Sequence, residues 1–196
     1  MSGRTASVSR KTAETSVELH LAVDGEGQAR LSCGVPFLEH MLTLFCQHGF
    51  FDISLAAEGD LPVDAHHLVE DIGLVLGEAF SKALGDKAGI GRFGSALLPM
   101  DDALVMVAVD FSGRPYLAYD LLLPAARLGT FETELVEEFL RAFVNKAGCT
   151  LHVRLLAGCN THHIIEALFK GLGRALDAAT AIDPRVKGIP STKGLL

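Results

Sequence analysis

The chain contains one histidine-rich pattern twice, and this repetition strongly limits the folds available to it. "DAHHLVEDIGLVLGEAF" covers residues 64–80 and "NTHHIIEALFKGLGRAL" covers residues 160–176. At an offset of 96 residues the two His-His-x-x-Glu patterns coincide, and the Leu-Gly and Ala that follow them align as well. Each copy comes after a β-like run that ends in a Gly-polar turn, and an amphipathic segment ending at glycine precedes that run. The sequence therefore predicts two copies of one supersecondary unit.

The duplication predicts an α+β fold. Each half is expected to follow the order β-β-α-β-α, with residues 1–90 in the first half and residues 91–196 in the second. A Gly-rich stretch at 84–91 marks the joint, and residues 183–196 hold too much proline and glycine for a helix. Halves related by a pseudo-two-fold axis can pack their helices between two mostly antiparallel four-stranded sheets. We expect one compact unit rather than two separate domains.

Composition and charge count against several classes of protein. A net charge of −7 without any run of basic residues disfavours binding to nucleic acid or to a membrane surface. No stretch approaches the roughly 20 apolar residues of a membrane span. The four cysteines show no CxxC spacing and the first sixteen residues are too polar for a secretory signal, so we expect a cytoplasmic protein with reduced thiols. The 49% share of hydrophobic residues suggests apolar surface hidden between the subunits of an oligomer.

The histidine pattern has a spacing that suits metal binding at the start of a helix. Asp64 and Asn160 precede the two copies and can cap a helix, which places each pattern in a first helical turn. A glutamate three or four residues after a histidine shares its helix face, whereas adjacent histidines point about 100° apart. Each pair is therefore expected to address two ions. The alternative is a pair of capping histidines beside a solvated glutamate, which the second copy makes much less favourable.

The ligand types narrow the choice of metal. Imidazole and carboxylate without thiolate suit Mn, Fe, Co or Zn and disfavour Cu(I) and iron–sulfur clusters. The pattern also differs from the His-Glu-x-x-His of metalloproteases, in which the glutamate directly follows the first histidine. A first-row divalent metal held by nitrogen and oxygen ligands is therefore the expectation from the residues alone.

Seven segments spread over nearly the whole chain carry a further likeness. They read "RKTAET" (10–15), "FLEHML" (37–42), "HHLVEDIGLVLGEA" (66–79), "RFGSALLPMDDALV" (92–105), "DFSGRPYL" (110–117), "LHVRLLAGCNTHHIIEALFKGLGRAL" (151–176) and "PSTKGLL" (190–196). In this order they resemble the imidazoleglycerol-phosphate dehydratase family, the dehydratases of histidine biosynthesis. The resemblance implies a carbon–oxygen lyase whose subunits have the duplicated fold described above.

The resemblance also implies two manganese ions per active site. The matching ligand positions are His40, His66, His67, Glu70, His162, His163 and Glu166. An eighth ligand is usually a histidine, but here the segment reads "VEEFL" and Glu138 stands in its place. A carboxylate can also bind Mn, and Glu138 follows His40 by 98 positions, at about the same point of the duplicated helix. Leu44 occupies a position where family members often carry a substrate-contacting Gln, so we predict no contact there.

The substrate implied by the resemblance is a phosphorylated glycerol that carries an imidazole. The residues expected to bind it are Glu14, Arg92, Asp101, Arg114, Lys170, Ser191 and Lys193. Arginine suits the bidentate geometry of phosphate oxygens, and a serine and a lysine on a C-terminal tail suggest a flap that closes over the phosphate. Glu14 and Glu166 are the two candidates for the catalytic proton transfers, and the sequence does not choose between them.

The implied reaction is a dehydration to imidazole acetol phosphate. A metal on the ring nitrogens favours an imidazolate, which can expel the neighbouring hydroxyl through a diazafulvene-type intermediate. Family members assemble into 24-mers of cubic symmetry with active sites between subunits, and we expect the same homo-oligomer here. Two other functions stay open: a metal-dependent phosphatase, which would release inorganic phosphate, and a non-catalytic metal-binding cage, which would not explain Arg92, Arg114 and Lys193.

Overall fold

The structure, a computed structural model, describes residues 3–196 and consists of two similar halves. The first half contains β1 (Thr5–Lys11), β2 (Ser16–Ala22), β3 (Ala29–Ser32), α1 (Pro36–Gly49), β4 (Asp52–Glu58) and α2 (His66–Leu84). The second half contains β5 (Phe93–Met100), β6 (Ala103–Asp110), β7 (Tyr116–Asp120), β8 (Arg127–Leu128), β9 (Phe131–Glu132), α3 (Leu135–Ala147), β10 (Thr150–Ala157) and α4 (Thr161–Thr180). The predicted α+β duplication is confirmed.

Each half contributes one four-stranded sheet, and the two sheets have the same topology. The strand orders are β1-β2-β4-β3 and β5-β6-β10-β7. Two of the three strand pairs in each sheet are antiparallel, and only the last pair, β3 with β4 or β7 with β10, is parallel. The sheets are thus mostly antiparallel, as predicted. A third strand of the sheet, β3 or β7, precedes the first helix in each half, so the order β-β-α-β-α omitted that strand in both copies and the β8–β9 hairpin in the second.

The helices lie between the sheets because each strand presents one apolar face. β2, for example, buries Val17, Leu19 and Leu21 and exposes the residues between them, the alternation expected of a half-buried strand. α2 packs on β1 and β2, and α4 packs on β5 and β6. Between the two sheets, α2 contacts α3 and α1 contacts α4. The two helix contacts are related by the internal repeat.

Glycines allow these helices to approach closely. A Cβ atom on Gly173 of α4 would lie 2.5 Å from the carbonyl oxygen of Phe45 in α1. Its repeat equivalent, Gly77 of α2, faces the carbonyl oxygen of Phe143 in α3 in the same manner. Any larger residue at these crossings would force the helices apart. Because the two histidine pairs lie at the starts of α2 and α4, these two crossings set the positions of the predicted metal ligands relative to α1 and α3.

One hydrophobic core contains residues of both halves. Phe80 of α2 packs edge-on against Phe51 at a centroid distance of 5.0 Å and against Phe143 of α3 at 5.7 Å. Aromatic contacts therefore run continuously from one half to the other. The division at residue 90 describes the repeat, and the shared core binds both copies into one packed body. Among residues 3–196, no helix is both long and apolar enough to cross a membrane.

Candidate active site

Both histidine pairs lie in the first turn of a helix, as predicted. Asn160 caps α4, since its side-chain oxygen accepts hydrogen bonds from the backbone N–H groups of His162 (3.0 Å) and His163 (3.3 Å). In the first copy, the Asp64 carboxylate accepts a hydrogen bond of 2.8 Å from the backbone N–H of His66, the first residue of α2. These hydrogen bonds fix each histidine pair in the first turn of its helix.

Three predicted ligands converge where α1 crosses α4. His40, His162 and Glu166 each offer an atom within 4.8 Å of the others. His162 Nε2 lies 3.2 Å from Glu166 Oε2, and the His40 and His162 rings have centroids 6.0 Å apart. His40 is exposed and Glu166 is only 11% exposed, so the group opens to solvent on one side. We call these three residues the α1–α4 cluster.

Lys170 holds the carboxylate of the α1–α4 cluster in its ionised form. Lys170 Nζ lies 2.7 Å from Glu166 Oε1, one helical turn along α4. Burial by itself would raise the pKa of Glu166, but the hydrogen bond and charge of Lys170, together with His162 and His40, bring that pKa below its ordinary value. Glu166 is therefore a carboxylate at neutral pH and can accept a cation.

An aromatic contact supports the α1–α4 cluster from outside. Phe37 of α1 packs edge-on against the His162 ring at a centroid distance of 5.6 Å, and Phe131 lies 5.0 Å from Phe37. Phe131 belongs to the small hairpin of β8 and β9, which has no counterpart in the first half. The second half thus carries an added element that restrains one of the predicted ligands.

The repeat-equivalent residues of the first half are arranged differently. His66, Glu70 and Glu138 correspond to His162, Glu166 and His40 respectively. All three are partly buried, yet within residues 3–196 their ligand atoms do not form a group inside the same 4.8 Å limit. Of these two repeat-related sets of predicted ligands, the structure therefore brings together only His40, His162 and Glu166.

A second group forms around His67. Glu14, Asp60 and His67 offer ligand atoms within 4.8 Å of one another. His67 Nδ1 lies 3.0 Å from Asp60 Oδ2 and 3.5 Å from Glu14 Oε2. The hydrogen bond to Asp60, followed by the charge of Glu14, raises the pKa of His67. Sequence reasoning assigned no role to Asp60, although this residue lies in the Gly-polar turn that precedes the first histidine pair.

His163, the repeat equivalent of His67, is also paired with a carboxylate. Its Nδ1 lies 2.7 Å from Asp102 Oδ1, while Asp102 Oδ2 accepts backbone N–H groups of Cys159 (2.8 Å) and Asn160 (3.0 Å). These backbone bonds, that of Cys159 first, and the bond from His163 hold the pKa of Asp102 well below its usual range. Asp101, the predicted substrate-binding residue of this turn, is 68% exposed and lies 3.5 Å from His163 Nε2. Asp102 makes the shorter contact, and sequence reasoning passed over it.

The predicted phosphate-binding residues line one cavity. Arg92, Arg114, Ser191 and Lys193 surround a space of about 470 Å³ between the β6–β7 region and the C-terminal tail. Arg92 binds Asp110 with two bonds of 2.7 and 3.2 Å and also donates to the carbonyl oxygen of Pro190 at 2.9 Å. Arg92 therefore tethers the tail that carries Ser191 and Lys193. Lys170 does not line this cavity and lies beside Glu166 instead.

Glu14 is separated from the α1–α4 cluster within this chain. It lies in the turn between β1 and β2, its side chain is 58% exposed, and its carboxylate faces His67. The two catalytic candidates, Glu14 and Glu166, therefore belong to two different groups of side chains. One chain by itself does not place both carboxylates at one point.

Comparison with known proteins decides the family. The family model for imidazoleglycerol-phosphate dehydratase matches residues 33–176. The chain belongs to this family. It is 61% identical over 193 residues to the imidazoleglycerol-phosphate dehydratase of Moorella thermoacetica, covering 98% of each chain, and 60% identical over 193 residues to that of Thermoanaerobacter pseudethanolicus, covering 98% of this chain and 100% of the relative. The predicted assignment to a dehydratase family of histidine biosynthesis is confirmed.

Solved structures agree in fold. The crystal structure of imidazoleglycerol-phosphate dehydratase from Staphylococcus aureus has a TM-score of 0.83 at 41% identity, covering 91% of this chain and 99% of that one. The enzyme from Pyrococcus furiosus, solved in complex with (S)-C348, also has a TM-score of 0.83, at 40% identity, with 96% and 100% coverage. The duplicated α+β architecture is thus that of imidazoleglycerol-phosphate dehydratases.

Proposed function

We propose that the chain catalyses the metal-dependent dehydration of imidazole glycerol phosphate to imidazole acetol phosphate. The observation that carries this proposal is the α1–α4 cluster: two imidazoles and an ionised carboxylate meet at the start of α4, within a family of dehydratases. A separate cavity lined by two arginines and a lysine can take the phosphate. The proposed setting is the cytoplasm, without a nucleic-acid or membrane partner.

The donor atoms of the α1–α4 cluster fit manganese. His40 and His162 offer nitrogen and Glu166 offers oxygen, with no thiolate in the group. Such mixed imidazole and carboxylate sets suit Mn and related divalent ions. In the proposed centre these three residues hold one ion, and His66, Glu70 and Glu138 hold the second. His67 and His163 complete the two ligand sets, giving two manganese ions per active site.

The complete centre is proposed to form between subunits of a homo-oligomer, a 24-mer like that of the family. Two features favour this arrangement. The Glu14–His67 group and the α1–α4 cluster are separate within one chain, so a second chain is needed to bring them to one substrate. Large apolar side chains also lie on the surface, with Leu122 76% exposed and Val63 73% exposed, and subunit contacts would cover such residues.

The residues of the chain can supply the proton transfers that the reaction needs. A bound metal contributes by lowering the pKa of the substrate ring nitrogens, which favours the imidazolate. Loss of the hydroxyl next to the ring gives a diazafulvene-type intermediate, and loss of the carbon proton then gives the enol of the product. Glu166 is ionised through Lys170, and Glu14 is an exposed carboxylate, so both can carry a proton at a carboxylate oxygen.

The basic residues are proposed to bind the phosphate. Arg114 and Lys193 face the cavity with few internal partners, whereas Arg92 is already paired with Asp110 and acts mainly by holding the tail in place. Ser191 offers a hydroxyl on the same tail, and Lys170 and Asp101 complete the proposed binding set beside the histidines. The tail closes over the phosphate once the substrate has bound.

The product distinguishes this proposal from a phosphatase. Purified protein loaded with Mn²⁺ is incubated with imidazole glycerol phosphate, and both the keto product and inorganic phosphate are measured. The proposal predicts the ketone and no released phosphate. Release of inorganic phosphate without ketone would replace the dehydratase with a hydrolase.

A further inference from the structure

Two histidines of the proposed metal centre are held in the same way, although the holding residues are unrelated by the repeat. His67 and His163 are repeat equivalents, and each has a carboxylate oxygen beside its Nδ1, at 3.0 Å from Asp60 and at 2.7 Å from Asp102. A carboxylate ionised at neutral pH only accepts hydrogen bonds, so the Nδ1 of each ring donates. The neutral ring then keeps its lone pair on Nε2.

We propose that Asp60 and Asp102 are positioning residues that hold His67 and His163 by Nδ1 and so direct the Nε2 of each ring toward a metal ion. This inference rests on the proposed function, in which both histidines are metal ligands. A hydrogen bond from the far nitrogen of a ligating histidine to a carboxylate fixes the tautomer and orientation of the ring and increases its basicity as a ligand.

The two carboxylates reach the histidines from different elements of the fold. Asp60 lies in the loop between β4 and α2 (59–65), which is longer than the corresponding loop between β10 and α4 (158–160). Asp102 lies in the turn between β5 and β6, and the matching turn of the first half carries Glu14. Glu14 lies 3.5 Å from His67 Nδ1, so a carboxylate of the matching turn faces the equivalent histidine in both halves, and Asp60 is a further and closer partner of His67. Both equivalent histidines are thus paired at Nδ1 with a carboxylate, which supports a role for the pairing itself.

A purely structural role does not explain Asp60, because burying its side chain lowers the stability of the fold. Its Oδ1 is buried and, among residues 3–196, is the one such side-chain oxygen or nitrogen without a hydrogen-bond partner. A buried, unsatisfied polar atom lowers stability and calls for another explanation. Asp102 is placed more firmly, because two backbone N–H groups fix its Oδ2 and leave Oδ1 to His163.

Substitution by asparagine tests the proposal without removing the hydrogen-bond acceptor on which the loop depends. Asp102→Asn and Asp60→Asn are made in the full-length chain, with Asp86→Asn as the matched control. Asp86 also accepts a backbone N–H in a turn, from Ala88 at 3.0 Å, but is exposed and touches no histidine. Mn²⁺ affinity and stoichiometry are measured by competition with a chelator, and the Mn²⁺ concentration that gives half-maximal activity is measured beside them.

Each aspartate variant is expected to bind Mn²⁺ about ten- to a hundred-fold more weakly than the parent chain, with Asp86→Asn unchanged. Saturating Mn²⁺ should restore the rate, which a merely structural lesion would not allow. The proposal is overturned if affinity is unchanged in both variants, or if the rate falls equally at every Mn²⁺ concentration.

His163→Ala separates this proposal from the proposed function. Weaker Mn²⁺ binding by His163→Ala together with unchanged binding by Asp102→Asn would overturn the positioning role alone. Parental affinity and stoichiometry in His163→Ala would instead remove His163 from the proposed ligand set, and the positioning role of Asp102 with it.

Discussion

The α1–α4 cluster and its counterpart in the first half descend from the same repeat but differ in how far the chain assembles them. His40, His162 and Glu166 lie together, whereas His66, Glu70 and Glu138 do not form such a group within residues 3–196. The two sets also differ in charge. In the α1–α4 cluster one carboxylate meets two imidazoles and Lys170, while its counterpart contains two carboxylates and one imidazole.

Like charges oppose the closure of the first-half set. Leu74 stands where α4 carries Lys170, so no lysine at that position offsets Glu70. A cation bound between two carboxylates reduces the repulsion between them. We therefore expect closure of this set to depend on a bound metal ion, whereas contacts of the chain itself hold the α1–α4 cluster together. We expect the two ions to bind with different strengths.

Metal removal gives the largest expected effect. Dialysis against a chelator should abolish activity and reduce the size of the oligomer, because ligands from different subunits then lose their common ion. On return of Mn²⁺, the account predicts two binding steps, the tighter at the α1–α4 cluster. Elemental analysis, light scattering and a binding titration measure these effects. Full activity in metal-free protein would contradict a catalytic metal, and full size would show that assembly does not depend on it.

Substitution of Glu166 and its repeat equivalent Glu70 should separate the two Mn²⁺-binding steps. Glu166→Gln and Glu70→Gln should each lower kcat/KM by more than about a hundred-fold, the upper end of the loss seen for partners that only support a metal ligand. Glu166→Gln should remove the tighter Mn²⁺ step and Glu70→Gln the weaker one. If either variant loses both Mn²⁺-binding steps together, the two ligand sets bind metal as one unit, which would contradict separate ions of different affinity.

Lys193 should contribute to substrate binding and not to metal binding. A charge-assisted phosphate contact is worth about 1.5–3 kcal/mol, so Lys193→Ala should lower kcat/KM about ten- to a hundred-fold, mainly through KM. Both Mn²⁺ steps and the oligomer size should be unchanged. Lys187→Ala is the control, since Lys187 is exposed on the same tail and does not line the cavity. An unchanged kcat/KM would leave Lys193 as a surface charge, and lost metal would make its role structural.

The Glu166–Lys170 pair predicts a smaller effect on the stability of the metal-free chain. The pKa of Glu166 is lowered, so its contribution to stability is present above its unfolded-state pKa and is lost as pH falls through the folded-state value. Without Lys170, burial would raise that pKa. Lys170→Met should therefore cost about 1.5–3 kcal/mol near neutral pH and shift the acid loss of stability to higher pH. Denaturant unfolding at several pH values measures this, and identical pH profiles would show that Lys170 does not ionise Glu166.

Much of this architecture could be predicted from the sequence because the repeat is local and periodic. The histidine pairs, their caps and the helix faces they share all lie within one helical turn, so spacing alone placed them correctly. The extra strands β3 and β7 were missed or left open because they are short and pair in parallel with a strand distant in sequence. Tertiary pairing defines such strands more than local preference does.

The carboxylate partners of His67 and His163 could not be predicted from the sequence for a similar reason. Asp102 and His163 are 61 positions apart in the chain, and Asp60 and Asp102 lie in different loops of the repeated unit. Sequence spacing therefore linked neither aspartate to a predicted ligand. The departure of Glu138 from the family pattern was visible in the sequence. The arrangement of the first-half set depends on which residues face Glu70 in three dimensions, and sequence spacing does not show this.

Subunit complementation shows whether one active site combines the α1–α4 cluster of one chain with the first-half set of another. His162→Ala and Glu70→Gln chains, each inactive alone, are stripped of metal, mixed in equal amounts and reassembled with Mn²⁺, and mixed assembly is verified by mass. His162→Ala mixed with Glu166→Gln is the control, because neither chain then carries an intact α1–α4 cluster. Random mixing should restore roughly a quarter of parental activity in the first pair and none in the control. No recovery in verified mixed oligomers of the first pair would mean that both sets of an active site come from a single chain and that the site does not form between subunits.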